Sequence, residues 1–394
     1  MSTTEVVIAS AARTPIGSFQ GTLGSLSAPE LGAVAIAEAV KRAGARPEQV
    51  ERVIMGCVLS GGVGQAPARQ ATIKAGLPVE VGAITVNKVC GSGLQAVMFA
   101  RREILVGDAE VIVAGGMESM TNAPYVLPNA RGGYRMGNGQ IVDSMIHDGL
   151  WDPYDNVHMG NCGDLVAKKY GFTREEQDAF ARASFERAIQ AQKAGKFKAE
   201  IVAVPVPQRK GDPVLVDEDE GPKKAQLDKM PGLRPAFSKD GTVTAANASS
   251  INDGAAALVV TSAAVAAKHG FPVLARIVGD STAAVEPKWF TTAPVEALRR
   301  LYAKTGTSSL DWDLYEINEA FAGVTMAAMK DHGIPHERVN VHGGAVSLGH
   351  PIGCSGARIL VTLIHALKDR GERRGIATLC IGGGEAVALG VELV

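Results

Sequence analysis

Residues 86–119 read VNKVCGSGLQAVMFARREILVGDAEVIVAGGMES, and residues 353–386 read GCSGARILVTLIHALKDRGERRGIATLCIGGGEA. Each stretch carries Ser-Gly, an amphipathic helical run, a charged turn, an apolar strand and then Gly-Gly. Ser92-Gly93 aligns with Ser355-Gly356, and Gly115-Gly116 with Gly382-Gly383. Two helix–strand units can look alike by chance, but a recurrence of this kind predicts two related halves facing one another. Loops from each half then meet at one site.

Working outward, short apolar runs alternate with Ala-rich helical stretches. Strands are expected at 5–10, 53–58, 110–114, 314–317 and 377–381, and helices at 94–105, 321–329 and 357–367. Such alternation reads as a layered α/β fold. Residues 121–246 differ in texture. They hold Gly/Pro-rich loops, one helix over 174–194 entered through Thr173 with Glu176 three residues on, and the charged stretch PQRKGDPVLVDEDEGPKK. We read this as an inserted loop domain. The expected organisation is a first half of 1–120 with 247–272, a loop domain of 121–246, and a second half of 273–394.

The bulk numbers agree with a multidomain enzyme. The chain has 394 residues, 46% hydrophobic and 21% charged, with a net charge of −1. So balanced a charge gives no electrostatic case for nucleic acid or an anionic membrane. No run reaches the roughly 18 apolar residues of a spanning helix, and the opening residues do not read as a secretory leader. Five cysteines at scattered spacing suggest neither a disulfide framework nor a zinc site, so a reducing compartment, the cytoplasm, is expected.

Cys90 stands between an apolar strand and a Gly-framed helix start. Free N–H groups there favour a thiolate and can hold an oxyanion, although a small buried hydrophobe fits the same pattern. Cys380 ends a strand and meets Gly382, Gly383 and Gly384, where a ligand can approach the backbone closely. His350 sits on a loop between Gly349 and Pro351. Asn318 and Glu319 close an apolar strand, where Asn can also be a simple helix cap.

In order and together, VCGSG (89–93), NEAF (318–321), GGAVSLGHPIG (343–353) and CIGGG (380–384) resemble the signature segments of thiolases. RTPIGSF, GQAPARQ, AGGMESM, HMG, KAGKF and GTVTAANAS extend the likeness from residue 13 to residue 384, and it is closest to the short-chain acetyltransferase branch. The resemblance implies two similar α/β halves in five layers (α/β/α/β/α) with a loop domain over the active site. It implies reversible Claisen condensation of two acetyl-CoA to acetoacetyl-CoA plus CoA. Cys90 would be the nucleophile, His350 its base, and Cys380 the acid/base at the α-carbon. Asn318 would hold a water in one oxyanion site, and the N–H groups of Cys90 and Gly382 would form the other. His158, Met159, Phe237, Ser249, Phe290 and Phe321 would line the acyl and pantetheine pocket, and Lys223 and Lys224 would meet the CoA 3′-phosphate. No metal or redox cofactor is implied, and a homotetramer assembled through residues 121–148 is expected.

Three positions depart from the family pattern. Glu385 stands near the Cys380 loop, where it would raise that thiol's pKa or point outward; Ser250 replaces a frequent Gly or Thr; Pro222 stands near where potassium-activated members carry Tyr. The other readings of the same pattern are a degradative 3-ketoacyl-CoA thiolase of broader chain length and a non-catalytic acyl-CoA or lipid carrier. The carrier predicts loss of a reactive residue, and all four are present.

Overall fold

The structure is a computed structural model and describes residues 4–394. Ten strands form one sheet: β1 (Val6–Arg13), β2 (Gly17–Ser18), β3 (Arg52–Gly56), β4 (Gly82–Val86), β5 (Val111–Ser119), β6 (Asn252–Ser262), β7 (Ala275–Ala284), β8 (Leu314–Ile317), β9 (Arg374–Ile381) and β10 (Glu385–Leu393). Their spatial order is β8-β9-β10-β7-β1-β6-β5-β3-β4, with β2 paired to β6.

That order is nearly a palindrome about the β7/β1 seam, where Val7 pairs with Arg276 and Ile8 with Ala275. On each side the outer pair is parallel, β3 with β5 and β8 with β9. The inner pairs are antiparallel on both sides. The repeat visible in the sequence is therefore a repeat of strand topology. Between β9 and β10 the second half has only the turn Gly382–Gly384, whereas between β5 and β6 the first half carries residues 120–251.

Helix α1 (Ala28–Ala43) and α2 (Pro67–Lys74) cover the outer face of the first half, and α6 (Ala293–Thr305) and α7 (Ala322–His332) that of the second. Between the halves lie α3 (Ser92–Val106) and α8 (Ile352–Arg370). In α8 every residue from Ile352 to Leu367 except His365 is buried, and its one buried charge, Arg358, pairs with the buried Glu316 at 3.3 Å. The helices α3 and α8 meet backbone to backbone at the two glycines equivalent in the repeat. A Cβ on Gly93 would lie 2.7 Å from Ala357 N, and one on Gly356 would overlap Leu94. Three apolar clusters fill the spaces, one around α3 and α8 and one under each outer layer. The result is helix, half-sheet, helix, half-sheet, helix, with the two half-sheets joined at the β7/β1 seam.

The strand read at 110–114 is longer than its sequence suggests. β5 continues through Gly115 and Gly116, which pair in register with Ala257 and Ala256 instead of turning. The inserted segment also holds a helix not read from the sequence, α4 (Met159–Tyr170), ahead of α5 (Arg174–Lys193), whose Thr173 hydroxyl accepts the Glu176 N–H at 3.1 Å. Among the described residues no helix is long and apolar enough to cross a membrane.

Candidate functional site

Cys90 sits at a tight elbow ahead of α3. Val89 adopts a left-handed φ of 44°, a strained state for a β-branched residue that costs on the order of 1–3 kcal/mol. Ser92 holds the elbow: its hydroxyl accepts the Lys88 N–H at 2.8 Å and donates to Val89 O at 2.6 Å. The strain places the Cys90 sulfur where the N–H of Gly382 reaches it from the opposite half. Burial pushes the Cys90 thiol up to about 12, outweighing the two backbone N–H groups that favour its anion. The helix terminus therefore does not leave Cys90 as a standing thiolate. The residue needs a base.

His350 supplies a candidate. Its backbone N–H donates to Asn252 Oδ1 at 2.9 Å, and Asn252 donates in turn to Gly17 O at 2.9 Å. Gly349 has a φ of 112°, and a Cβ there would overlap Asn252. His350 Nδ1 lies 2.6 Å from Ser355 Oγ, while Nε2 is buried without any partner. Burial first, and the Arg358 guanidinium second, depress His350 to about 3, so the ring is neutral. Asn318 Nδ2 lies 3.5 Å from His350 Nδ1, and Asn318 Oδ1 is also buried and unpartnered.

The loop carrying Asn318 is fixed from both sides. Asn340 accepts the Ile317 N–H at 2.9 Å and donates to Ile317 O and Glu319 Oε1, each at 2.8 Å. Glu319 is buried and also accepts from Ser184 at 2.7 Å and from the Val346 N–H at 3.1 Å. Cys380 is fully buried, packed in one cluster with Met159, Phe290 and Phe321. Burial, and then the neighbouring Cys90, hold its pKa well above the usual thiol value. Glu385 forms a partly exposed ion pair with Lys88.

A cavity of about 260 Å³ opens onto this cluster. Cys90 and His350 line it together with His158, Met159, Phe237, Ser249, Phe290 and Phe321. His158 stacks on Phe237 at 4.6 Å, and Phe237 meets Phe321 edge-on at 6.3 Å. The Ser249 N–H donates to Ala320 O at 3.0 Å, which ties the pocket wall to the Asn318 loop. Asn318, Cys380 and Gly382 are not in the wall itself; they lie directly behind Cys90, His350 and Met159.

Ser250 is shared with a second groove, of about 310 Å³, lined by Lys224, Lys229, Leu227 and Met230. The structure places Lys224 there but not Lys223. Lys223 lines a separate depression with Lys193 and Lys198 and pairs with Glu218 at 2.5 Å. The two lysines are adjacent at the end of a helical turn, so their side chains diverge. Pro222 is buried beneath them. Ser355, Asn252, Asn340 and Glu118 are supporting residues that the sequence reading passed over. Only Ser355 carried a visible signal, its place in the repeat.

Comparison with known proteins agrees with this geometry. Residues 6–264 match the family model described as "Thiolase, N-terminal domain", and residues 271–393 match "Thiolase, C-terminal domain". The chain is 57% identical over 390 residues to an acetyl-CoA acetyltransferase of Cupriavidus necator, covering 99% of both chains. It is 53% identical to acetyl-CoA acetyltransferase 2 of Arabidopsis thaliana, covering 99% of this chain and 97% of that one. The crystal structure of the Bacillus anthracis acetyl-CoA acetyltransferase superposes with a TM-score of 0.97 at 44% identity, covering 100% of this chain and 99% of that chain.

Proposed function

The chain belongs to the thiolase family, and from that premise we infer its chemistry: it is an acyltransferase that condenses two acetyl-CoA molecules to acetoacetyl-CoA and CoA, reversibly. The observation that carries the reading is the apolar cavity holding a buried thiol, Cys90, and a neutral imidazole, His350, whose Nε2 has no partner.

In the proposed sequence, His350 takes the Cys90 proton as sulfur attacks the acetyl carbonyl. The tetrahedral oxyanion forms against the N–H groups of Cys90 and Gly382, and CoA leaves as a thiolate that takes the proton back. The second acetyl-CoA then loses an α-proton. That proton is weakly acidic, so the enolate oxygen needs donors, supplied by Asn318 through a water and by His350. Cys380 is the base at the α-carbon. Its own proton is held high by burial and passes to His350. The enolate carbon attacks the acetyl group on Cys90, the C–S bond breaks, and His350 returns the proton to Cys90 sulfur. Each proton is accounted for without a metal or redox cofactor.

His158, Met159, Phe237, Phe290 and Phe321 would hold the acyl end, with Ser249 at the pantetheine arm. The arm would pass Ser250 into the groove where Lys224 and Lys229 offer positive charge to the CoA phosphates. Assembly as a homotetramer is part of the proposal, supported by an unpartnered apolar loop: Tyr125 is 63%, Ile141 66% and Met136 96% exposed. All five cysteines are free and buried, which suits a reducing compartment, the cytoplasm in this proposal. The test is whether purified protein releases CoA from acetyl-CoA while forming acetoacetyl-CoA; no turnover in either direction would refute the reading.

A further inference from the structure

The two Ser-Gly pairs of the repeat begin the two central helices, and their serines are both fully buried. Ser92 anchors the elbow that presents Cys90. Ser355 occupies the equivalent place in the second half, and the loop before it presents His350. Its hydroxyl lies 2.8 Å from Pro351 O, one turn back, and 2.6 Å from His350 Nδ1.

A hydroxyl has one hydrogen. Two oxygens 2.8 Å apart with no hydrogen between them repel, so the Ser355 hydrogen points at Pro351 O, the usual back-bond of a helical serine. The lone pair of Ser355 Oγ then faces His350 Nδ1, which must be the donor. A neutral imidazole carries a single N–H. If it is on Nδ1, Nε2 is left as a bare lone pair, and Nε2 is the buried ring atom without a partner in the structure. The other neighbour of Nδ1, Asn318 Nδ2, is at 3.5 Å, the far edge of hydrogen bonding, and does not compete with a contact of 2.6 Å.

We propose that Ser355 is a positioning residue that locks the neutral ring of His350 in the Nδ1–H tautomer, so that Nε2 is free to take the proton of a thiol in the cavity. The pair Ser92 and Ser355 thereby does one job in each half: the first fixes the nucleophile and the second fixes the lone pair that activates it. The tautomer assignment stands on hydrogen-bond geometry and on the buried ring being neutral, and its effect on rate rests on the function proposed above.

The test has two readouts. In full-length protein labelled with ¹⁵N-histidine, the ring nitrogens of His350, assigned by comparison with His350→Asn, report the tautomer without any turnover. The expected result is protonated Nδ1 and bare Nε2, becoming a mixture in Ser355→Ala. A protonated Nε2 in the unmodified protein overturns the proposal, whatever the activity. Rapid-mixing acetylation of Cys90 by acetyl-CoA gives the second readout. Ser355→Ala should slow it about 10- to 100-fold, a fraction of what a positioned base contributes, with the KM for acetyl-CoA unchanged. Ser355→Thr, which keeps the hydroxyl, should restore most of the rate. An undiminished rate in Ser355→Ala overturns the locking role. Absence of acetylation in the unmodified protein, with the Nδ1–H tautomer present, refutes the function and leaves the tautomer assignment standing.

Discussion

Glu118, at the end of β5 in the first half, accepts the backbone N–H of Gly353, in the first turn of α8 in the second half, at 2.8 Å. The same carboxylate accepts from the N–H groups of Val58 and Leu59 at 3.0 and 3.1 Å. One buried side chain therefore joins the end of β3 to the turn that follows His350. Burial raises its pKa to about 7, against the three N–H groups that favour the anion. Glu118→Gln removes one acceptor oxygen and leaves a buried donor unmatched, at a cost of about 1–3 kcal/mol. Denaturant unfolding should show a loss in that range, with slower Cys90 acetylation because the His350 loop is loosened. Unchanged stability and rate would show that the bridge does not hold the halves in register.

The buried histidines contribute stability that falls on the acid side, opposite in sign to the contribution of the raised buried carboxylate Glu118. His350 is depressed to about 3 and His336 to about 4, both first by burial, from an ordinary value of 6.5. Below pH 6.5 the unfolded chain binds these protons and the folded chain does not. The contribution is fully present above 6.5 and is lost as pH falls toward the folded values. For His350 alone the loss at pH 5 is about 2 kcal/mol. Unfolding curves between pH 7 and 5 should therefore show a shallower slope for His350→Asn than for the unmodified protein, and equal slopes would contradict the buried neutral ring.

Phe290 is 3% exposed and lines the cavity with Met159, where the proposed function seats the acyl chain. Each added methylene offers about 0.8 kcal/mol if there is room, but overpacking costs roughly 1–3 kcal/mol. The kcat/KM for a ten-carbon 3-ketoacyl-CoA should fall about 10- to 100-fold below that for acetoacetyl-CoA. Phe290→Ala should narrow the gap. Equal efficiency on both chain lengths would show that this wall does not set the limit.

The short strands Tyr125–Val126 and Val142–Asp143 pair with each other and carry an exposed apolar tip between them. Light scattering at micromolar concentration should give a homotetramer, and Ile141→Asp should reduce it to a smaller assembly with its activity largely kept. A clean dimer in the unmodified protein would refute the role given to this loop.

What the sequence made legible were the local features. The strand Leu314–Ile317 was read to the residue, and Thr173 and Glu176 marked the start of α5. The Ser-Gly repeat marks the two halves without reference to strand pairing. The supporting bonds were hidden because their partners are remote: Glu118 and Gly353 are 235 positions apart, Asn252 and His350 are 98. Cys90 shows a different limit. A helix start suggested a lowered pKa, but burial by the opposite half overrides the terminus, and no local pattern reports that burial. Lys223 and Lys224 are neighbours in sequence, but successive positions at the end of a helical turn point different ways, and the two line separate depressions.

The central claim is that Cys90 carries the acetyl group, and intact-protein and peptide mass spectrometry after brief mixing with acetyl-CoA tests it most directly. One acetyl group should appear, on the peptide containing Cys90. It should persist in Cys380→Ser, which then fails to condense, and vanish in Cys90→Ala. Acetyl label retained in Cys90→Ala, or found on Cys380, Cys57, Cys162 or Cys354 in the unmodified protein, would contradict the account.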